Sequence, residues 1–403
     1  MSQLQLSSQP HDVPIGPGTD LHSGAVLGRR YRIGCKLAAG GMATIYEAHD
    51  IPLERMVVLK VLRRELTNIP EIVGRFLNEA RSLARLHSSH VTRVLDCGSI
   101  QQDSAIDVPF IVLELLDGID LWAALQQSKR LSASLTARYM LEACEGLAEV
   151  HALGIVHRDI KPENIFLAHE VDGTQTIKLL DFGISKTLEQ TIKGWHTQSC
   201  NIVGSPLYMS PEQMLALPVD ARTDIWGLGA VMFECVAGRP AFLGSTIFEI
   251  SAHVLSDPLP NLRNLAPELS EDFVRIVECC LQRDPPRRFQ TVAGLAQALE
   301  PLAASNSVSA AVRIACLLGL DAPFVTPATE RSVSQVVLNS IDTTAPEPRS
   351  IARAQSHWAI WALTVCVMVA LLGSCGYRYP AATKRVIVEV QHRACSLVSI
   401  FSR

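Results

Sequence analysis

Three side chains near the middle of the chain offer hard oxygen atoms: Asp159, Asn164 and Asp181. Carboxylate and amide oxygens of this kind suit a small divalent cation such as Mg2+. Asp159 and Asn164 fall within His157-Arg158-Asp159-Ile160-Lys161-Pro162-Glu163-Asn164, and Asp181 opens Asp181-Phe182-Gly183. Either Asn164 or Asp181 alone would more often cap a helix or close a turn. Their pairing across the segment that carries Asp159 favours metal binding. Lys60 is a cation inside the apolar run Met56-Val57-Val58-Leu59-Lys60-Val61-Leu62. Alone, it would be read as an edge-strand lysine whose head snorkels to water. Glu79, alone, would be read as a solvated helix residue.

Such groups need elements to hold them. Residues 57–62 and 110–113 are short apolar runs rich in β-branched residues, and both read as strands. Residues 71–86 place Ile72, Phe76, Ala80, Leu83 and Leu86 along one side, which predicts a helix. Beyond Leu131 long helical stretches dominate. With 403 residues, the chain has room for two or three domains, or for one two-lobed unit with appendages. Hydrophobic residues make up 48% and charged residues 19%, which excludes a mostly disordered chain. Lys+Arg 36 against Asp+Glu 40 leaves no basic excess and argues against a dedicated nucleic-acid binder. Eleven cysteines without a Cys-x-x-Cys pair predict buried free thiols rather than a disulfide framework or a zinc site.

The ordered set of motifs resembles the protein kinase family, and within it the bacterial serine/threonine kinases of eukaryotic type. The carrying residues are those of 157–164, Asp181-Phe182-Gly183 and Ser210-Pro211-Glu212. The resemblance implies an α+β fold of two lobes, a small β-rich N-lobe and a large, mainly helical C-lobe. It also implies ATP and Mg2+ as cofactors and serine or threonine hydroxyls of proteins as acceptors. Phosphoryl transfer needs positioning and charge neutralisation more than covalent chemistry, and each matching residue takes a role in those terms. Asp159 is the expected catalytic base, Asn164 and Asp181 the metal ligands, and Lys161 the contact to the γ-phosphate. Lys60 would hold the α- and β-phosphates, with Glu79 holding Lys60.

The phosphate-covering glycine loop of the family aligns with Leu37, Ala38, Ala39, Gly40, Gly41, Met42, Ala43, Thr44 and Ile45. Ala38 and Ala43 stand where the family pattern has glycine, and alanine does not freely adopt positive φ. The hinge maps to Glu114, whose carbonyl would meet the adenine edge, and to Leu116, whose amide would do the same. Leu113 would be the gatekeeper. Asp120 is open between a ribose contact and a helix N-cap. Asp224 resembles the family's support for the catalytic loop, and Glu212 with Arg288 its buried ion pair. Ser210 stands where alanine is more usual. Gly204-Ser205-Pro206 and Lys161 both favour Ser or Thr acceptors. Arg158 implies a phosphate on the activation segment, for which Thr191, Thr197 and Ser199 are the candidates. Trans-autophosphorylation would take a homodimer. Two other readings remain at this point: a pseudokinase scaffold, favoured by the altered glycine loop, and a small-molecule kinase of similar fold.

The expected organisation is a flexible tail over 1–28, the kinase domain over 29–302, a linker over 303–357, a span over 358–377 and a short tail over 378–403. The span reads WAIWALTVCVMVALLGSCGY. Twenty helical residues reach about 30 Å, the thickness of a bilayer's hydrocarbon core. Trp358, Trp361 and Tyr377 lie near its ends, where aromatic residues anchor. The N-terminus has neither the basic start nor the apolar core of a signal peptide. These features predict a single-pass protein of the inner membrane with its kinase domain in the cytoplasm. The charges point the other way: Arg378, Lys384 and Arg385 follow the run, against Arg349 and Arg353 before it.

Overall fold

The computed structural model describes residues 21–103, 106–182, 206–303 and 309–320. Thr191, Thr197, Ser199, Gly183, Gly204, Ser205 and the 358–377 run lie outside the described residues. Among the described residues, no helix is long and apolar enough to cross a membrane.

The N-lobe is a six-stranded antiparallel sheet with one helix. Its strands are β1 (Val26–Leu27), β2 (Tyr31–Ala39), β3 (Ala43–Asp50), β4 (Arg55–Leu62), β5 (Val94–Asp103) and β6 (Ile106–Glu114), and α1 (Pro70–Leu83) lies between β4 and β5. The spatial order is β1-β2-β3-β4-β6-β5. Strand alternation explains the two faces of β4. Val57, Leu59 and Val61 are buried with Tyr46, Ala48 and Val112 on one face. Lys60 and Leu62 point to the other face, where Leu62 and Ile111 meet Phe76, Ile72 and Ala80 of α1. The helix opens one residue before its expected start because Pro70 supplies the pre-set φ of a first helical position. It also ends earlier, at Leu83, and Leu86 packs beyond it against Leu83, Val91 and Phe182.

The C-lobe contains β7 (Gly118–Asp120), α2 (Leu121–Ser128), α3 (Ala133–Ala152), β8 (Ile165–His169) and β9 (Gln175–Leu179). Then follow α4 (Pro211–Met214), α5 (Ala221–Ala237), α6 (Ile247–Ser256), α7 (Leu262–Leu265), α8 (Glu271–Cys280), α9 (Val292–Leu299) and α10 (Ala310–Leu317). A small sheet, β7-β8-β9, lies at the cleft side. Gly118 sits at φ +141°, and a Cβ there would meet the Leu167 carbonyl oxygen at 2.1 Å, so the hinge can enter this sheet only through glycine. Helix α5 is buried almost all round and forms the axis of the lobe. A Cβ on its Gly227 would lie 2.7 Å from Cβ of Ile160, so the missing side chain lets the catalytic segment lie directly on the helix. Of the described cysteines, Cys144, Cys235, Cys279 and Cys280 are buried, while Cys35, Cys97 and Cys316 are exposed; all are free thiols.

Described structure extends beyond residues 29–302 on both sides. Residues 21–28, assigned to the tail, join the N-lobe because β1 pairs with β2 and Leu21 and Ala25 pack on its core. Residues 310–317, assigned to the linker, form α10. Its Ala311, Ile314 and Ala315 share one buried side, and Arg313 makes a two-pronged ion pair with Glu145 of α3 at 2.9 and 2.8 Å.

Candidate active site

The cleft between the lobes brings together the side chains singled out by sequence. Lys60 Nζ lies 2.8 Å from Asp181 Oδ1 and 3.3 Å from Glu79 Oε1. The lysine reaches this point because β4 turns it out of the apolar core and onto the face that α1 covers. Burial works to lower the Lys60 pKa, but Asp181 and Glu79 outweigh it and hold the ammonium above its ordinary value. The same ammonium is the main cause that holds Asp181 below the usual carboxylate range. Glu79 is raised by burial against the pull of Lys60, and its Oε2 finds no hydrogen-bond partner among the described residues. The shorter contact and the Asp181 direction agree that Asp181 holds Lys60 more firmly than Glu79 does.

Phe182 is buried beside Leu83, Val91 and Val150, and its ring lies 4.4 Å from that of His157. This packing directs Asp181 into the cleft. Asp181 itself has φ +43°, and Arg158 has φ +67°. Left-handed backbone at a non-glycine residue costs ~1–3 kcal/mol and persists only where the surroundings enforce it.

The surroundings of Arg158 do so through the start of α5. Asp224 accepts the His157 amide at 2.9 Å and the Arg158 amide at 2.8 Å. The His151 ring nitrogen lies 2.7 Å from the same carboxylate. The expected support role of Asp224 is thus seen atom by atom. His157 is fully buried, and burial lowers its pKa below the ordinary histidine value. Its Nε2 lies 3.0 Å from the Leu180 carbonyl, and its Nδ1 accepts the Asp159 amide at 3.3 Å. Both contacts are met by the tautomer with its proton on Nε2.

Asn164 Nδ2 donates to Asp159 Oδ2 at 2.7 Å and to the Asp159 carbonyl at 2.8 Å. Lys161 Nζ stands 3.5 Å from Asp159 Oδ2. The Leu180 amide donates to the Asn164 carbonyl at 2.9 Å, so the segment carrying Asp181 is tied directly to the one carrying Asp159. The amide nitrogen of Asn164 is committed to Asp159, which turns its Oδ1 away. Asp181 uses Oδ1 on Lys60 and is 43% exposed. This donor set, an amide oxygen and a carboxylate oxygen beside an open cleft, fits a small divalent cation.

The lid over Lys60 is the β2–β3 hairpin. Cross-strand pairing aligns Ala38 with Ile45, and Ile45 with Lys60, so these three share the cleft face. Ala39 and Thr44 pair on the opposite face, and Met42 is buried under α1. Of these three, Met42 and Thr44 are buried in the lobe, whereas Ala39 is exposed. Leu37 is about half exposed, and the turn at Gly40 closes with its amide 2.9 Å from the Ala43 carbonyl. Ala38 is the last residue but one of β2 and Ala43 opens β3, and neither has positive φ. The alanines therefore occupy strand positions that do not require glycine.

At the hinge, Glu114 ends β6 and its carboxylate is engaged: Oε1 accepts the Arg93 amide at 2.9 Å and Lys178 Nζ at 2.8 Å. Leu116 follows in the connection to β7, and Leu113 packs beside Ile72, Phe76 and Ile111 at the back of the cleft. Asp120 caps α2, accepting the Ala123 amide at 2.7 Å. Behind the site, Arg288 and Glu212 form a two-pronged pair at 2.7 and 2.8 Å, joined by Thr223 at 2.7 Å. Ser210 caps α4 in a reciprocal capping box with Gln213, so the hydroxyl that replaces alanine has a structural use. Sequence reasoning missed Lys178, His151 and Gln213. Only Gln213 had a local signal, the Ser-x-x-Gln pattern of a capping box.

Comparisons with known proteins agree with this geometry. The protein kinase domain family matches residues 31–299. A probable serine/threonine-protein kinase of Corynebacterium efficiens is 32% identical over 368 residues, covering 87% of this chain and 54% of that protein. The serine/threonine-protein kinase PknB of Mycobacterium tuberculosis is 34% identical over 269 residues, covering 66% of this chain and 42% of that protein. The chain spans about half the length of such curated relatives. The crystal structure of the PknI kinase domain of Mycobacterium tuberculosis superposes with a TM-score of 0.55 at 23% identity. It covers 70% of this chain and 100% of that domain, a likeness of fold.

Proposed function

The chain belongs to the protein kinase family, and from that premise we propose that it is an ATP-dependent serine/threonine protein kinase. The observation that carries the reading is Lys60 bridging Glu79 and Asp181 beside the Asp159–Asn164 pair. Lys60 would meet the α- and β-phosphates of ATP, and the hinge backbone at Glu114 and Leu116 the adenine. Asn164 and Asp181 would hold Mg2+, which when bound neutralises charge on the transferring phosphate. Asp159 orients the acceptor hydroxyl and takes its proton. A bond forms between the hydroxyl oxygen and the γ-phosphorus, and the bond from that phosphorus to the β,γ-bridging oxygen breaks, leaving ADP. Lys161, 3.5 Å from Asp159 Oδ2, would meet the γ-phosphate.

The intact set of charged residues and the strand positions of Ala38 and Ala43 favour transfer over a scaffold role. The test is incorporation of radiolabelled phosphate from ATP into the chain and a generic protein substrate, comparing the native protein with Asp159→Asn. Transfer that Asp159→Asn abolishes is the expected result; equal signals would remove this cleft as the source. Autophosphorylation in trans on Thr191, Thr197 or Ser199, paired with Arg158, belongs to the same proposal. Phosphosite mapping of active protein that left all three unmodified would refute it. We also propose that the run 358–377 anchors the kinase domain on the cytoplasmic side of the inner membrane. Its length, apolarity and terminal aromatic residues support this. Protease reaching the 378–403 tail from outside intact cells is the expected result, and full protection would reverse it.

A further inference from the structure

We propose that Gln213 is a positioning residue for catalysis, coupling helix α4 to the peptide unit that carries Asp159; the inference rests on the kinase reading above. That peptide unit runs from the Arg158 carbonyl to the Asp159 amide, and it follows the strained φ of +67° at Arg158. Both of its ends are held. The Asp159 amide donates to His157 Nδ1 at 3.3 Å. The Arg158 carbonyl accepts Gln213 Nε2 at 2.8 Å. Gln213 is itself fixed, because its Oε1 accepts the Ser210 amide at 3.1 Å and lies 3.3 Å from Ser210 Oγ. One planar amide thus joins two structures 55 residues apart in sequence. One end completes the cap of α4, and the other sets the plane of the peptide on which the catalytic base is mounted.

The division of labour is chemically asymmetric. The cap uses the oxygen of Gln213, whereas the link to Arg158 uses the nitrogen. A carboxylate at this position, Gln213→Glu, keeps the acceptor of the capping box, where a glutamate serves as well as a glutamine. It replaces the N–H donor with an oxygen that faces another oxygen. Ser210→Ala does the reverse: it removes the hydroxyl cap but leaves the Ser210 backbone amide and the Gln213 donor in place. A purely structural role predicts that activity follows stability in both variants. Positioning predicts that they separate.

The experiment uses the full chain. Steady-state transfer to a protein substrate, thermal melting and hydrogen exchange of the Asp159 amide are measured for the native protein, Gln213→Glu, Ser210→Ala and Asp159→Asn. Gln213→Glu is expected to lower kcat about tenfold or more, equivalent to about 1.4 kcal/mol of transition-state stabilisation, with KM for ATP within about twofold. Its melting temperature should fall no further than that of Ser210→Ala, and its Asp159 amide should exchange faster. Ser210→Ala should melt lower and keep kcat within about twofold. A Gln213→Glu variant with native kcat and native exchange overturns the inference, as does a kcat loss in Ser210→Ala equal to that in Gln213→Glu. If the native chain shows no transfer that Asp159→Asn removes, the kinase reading falls. The exchange measurement then decides the coupling alone, with faster exchange in Gln213→Glu upholding it and unchanged exchange overturning it.

Discussion

Arg288 illustrates how much one side chain can carry. It is fully buried, and every direction of its guanidinium is used. Two nitrogens meet Glu212, and the rest of the fork reaches the carbonyls of Gln282, Arg222 and Arg283 at 2.7 to 3.1 Å. The plane lies 5.1 Å from the Trp226 ring. Removing one partner of such a pair leaves a buried charge unmatched, so Arg288→Ala should cost about 3–5 kcal/mol in denaturant unfolding. A cost below about 1 kcal/mol would contradict the description, because that is the range of exposed pairs. Burial alone would raise the Glu212 pKa, but Arg288 and Thr223 reverse this and hold it below its ordinary 4.5. A carboxyl depressed in the folded state contributes stability above its unfolded pKa and loses it as pH falls through the folded value. The native protein should therefore lose more stability than Glu212→Gln on acidification below about pH 4.5. Parallel curves for the two proteins would show that Glu212 is not depressed.

At the scale of elements, the position of α1 decides whether Glu79 meets Lys60, and the loop after α1 is tied to α3. Glu149 accepts the His87 amide at 2.7 Å and the Ser88 amide at 2.6 Å. Hydrogen bonds to a charged group contribute ~1.5–3 kcal/mol. Glu149→Ala should lower stability by about that amount and weaken phosphate transfer, since the loop fixes the end of α1. An unchanged unfolding midpoint would show that water replaces the carboxylate without cost. The legibility of this region in the sequence is uneven for a physical reason. The period of 57–62 and of 71–86 is readable because alternation and helical repeat are written within a few residues. Lys60, Asp159, Asn164 and Asp181 are readable because their motifs are compact. Glu149 and Lys178 act across more than 60 residues on backbone amides or a lone carboxylate, and no local pattern marks such contacts. The α10 helix is obscured differently: its buried side pairs only one large residue, Ile314, with the small Ala311 and Ala315, and it lies beside Ser-rich sequence, so a short apolar stripe reads as linker.

Across the described residues, the two lobes are joined at several places, the Glu149 bonds to the loop after α1 among them, and three more lie around the cleft. Leu179 exchanges backbone bonds with His90 and Thr92 at 2.9 and 3.1 Å, and Lys60 reaches Asp181 from above. The hinge adds a third link. Lys178, on β9 of the C-lobe, bonds the Glu114 carboxylate while Glu114 and Arg93 exchange hydrogen bonds within the N-lobe. Glu114 thus stands between the lobes through its side chain. Lys178→Met keeps the apolar stem and removes the ammonium, leaving the half-buried carboxylate with the Arg93 amide. The hinge peptide then loses a restraint that acts on nucleotide binding rather than on the chemistry at Asp159. A loss of about 1 kcal/mol in this ordering corresponds to about fivefold in affinity. Lys178→Met should therefore raise KM for ATP about fivefold and leave kcat at saturating ATP within about twofold, with Lys178→Arg recovering most of the loss. A fall in kcat at unchanged KM would instead place the effect of Lys178 on Asp181, which follows it closely along the chain, and would remove the hinge from the account of nucleotide binding.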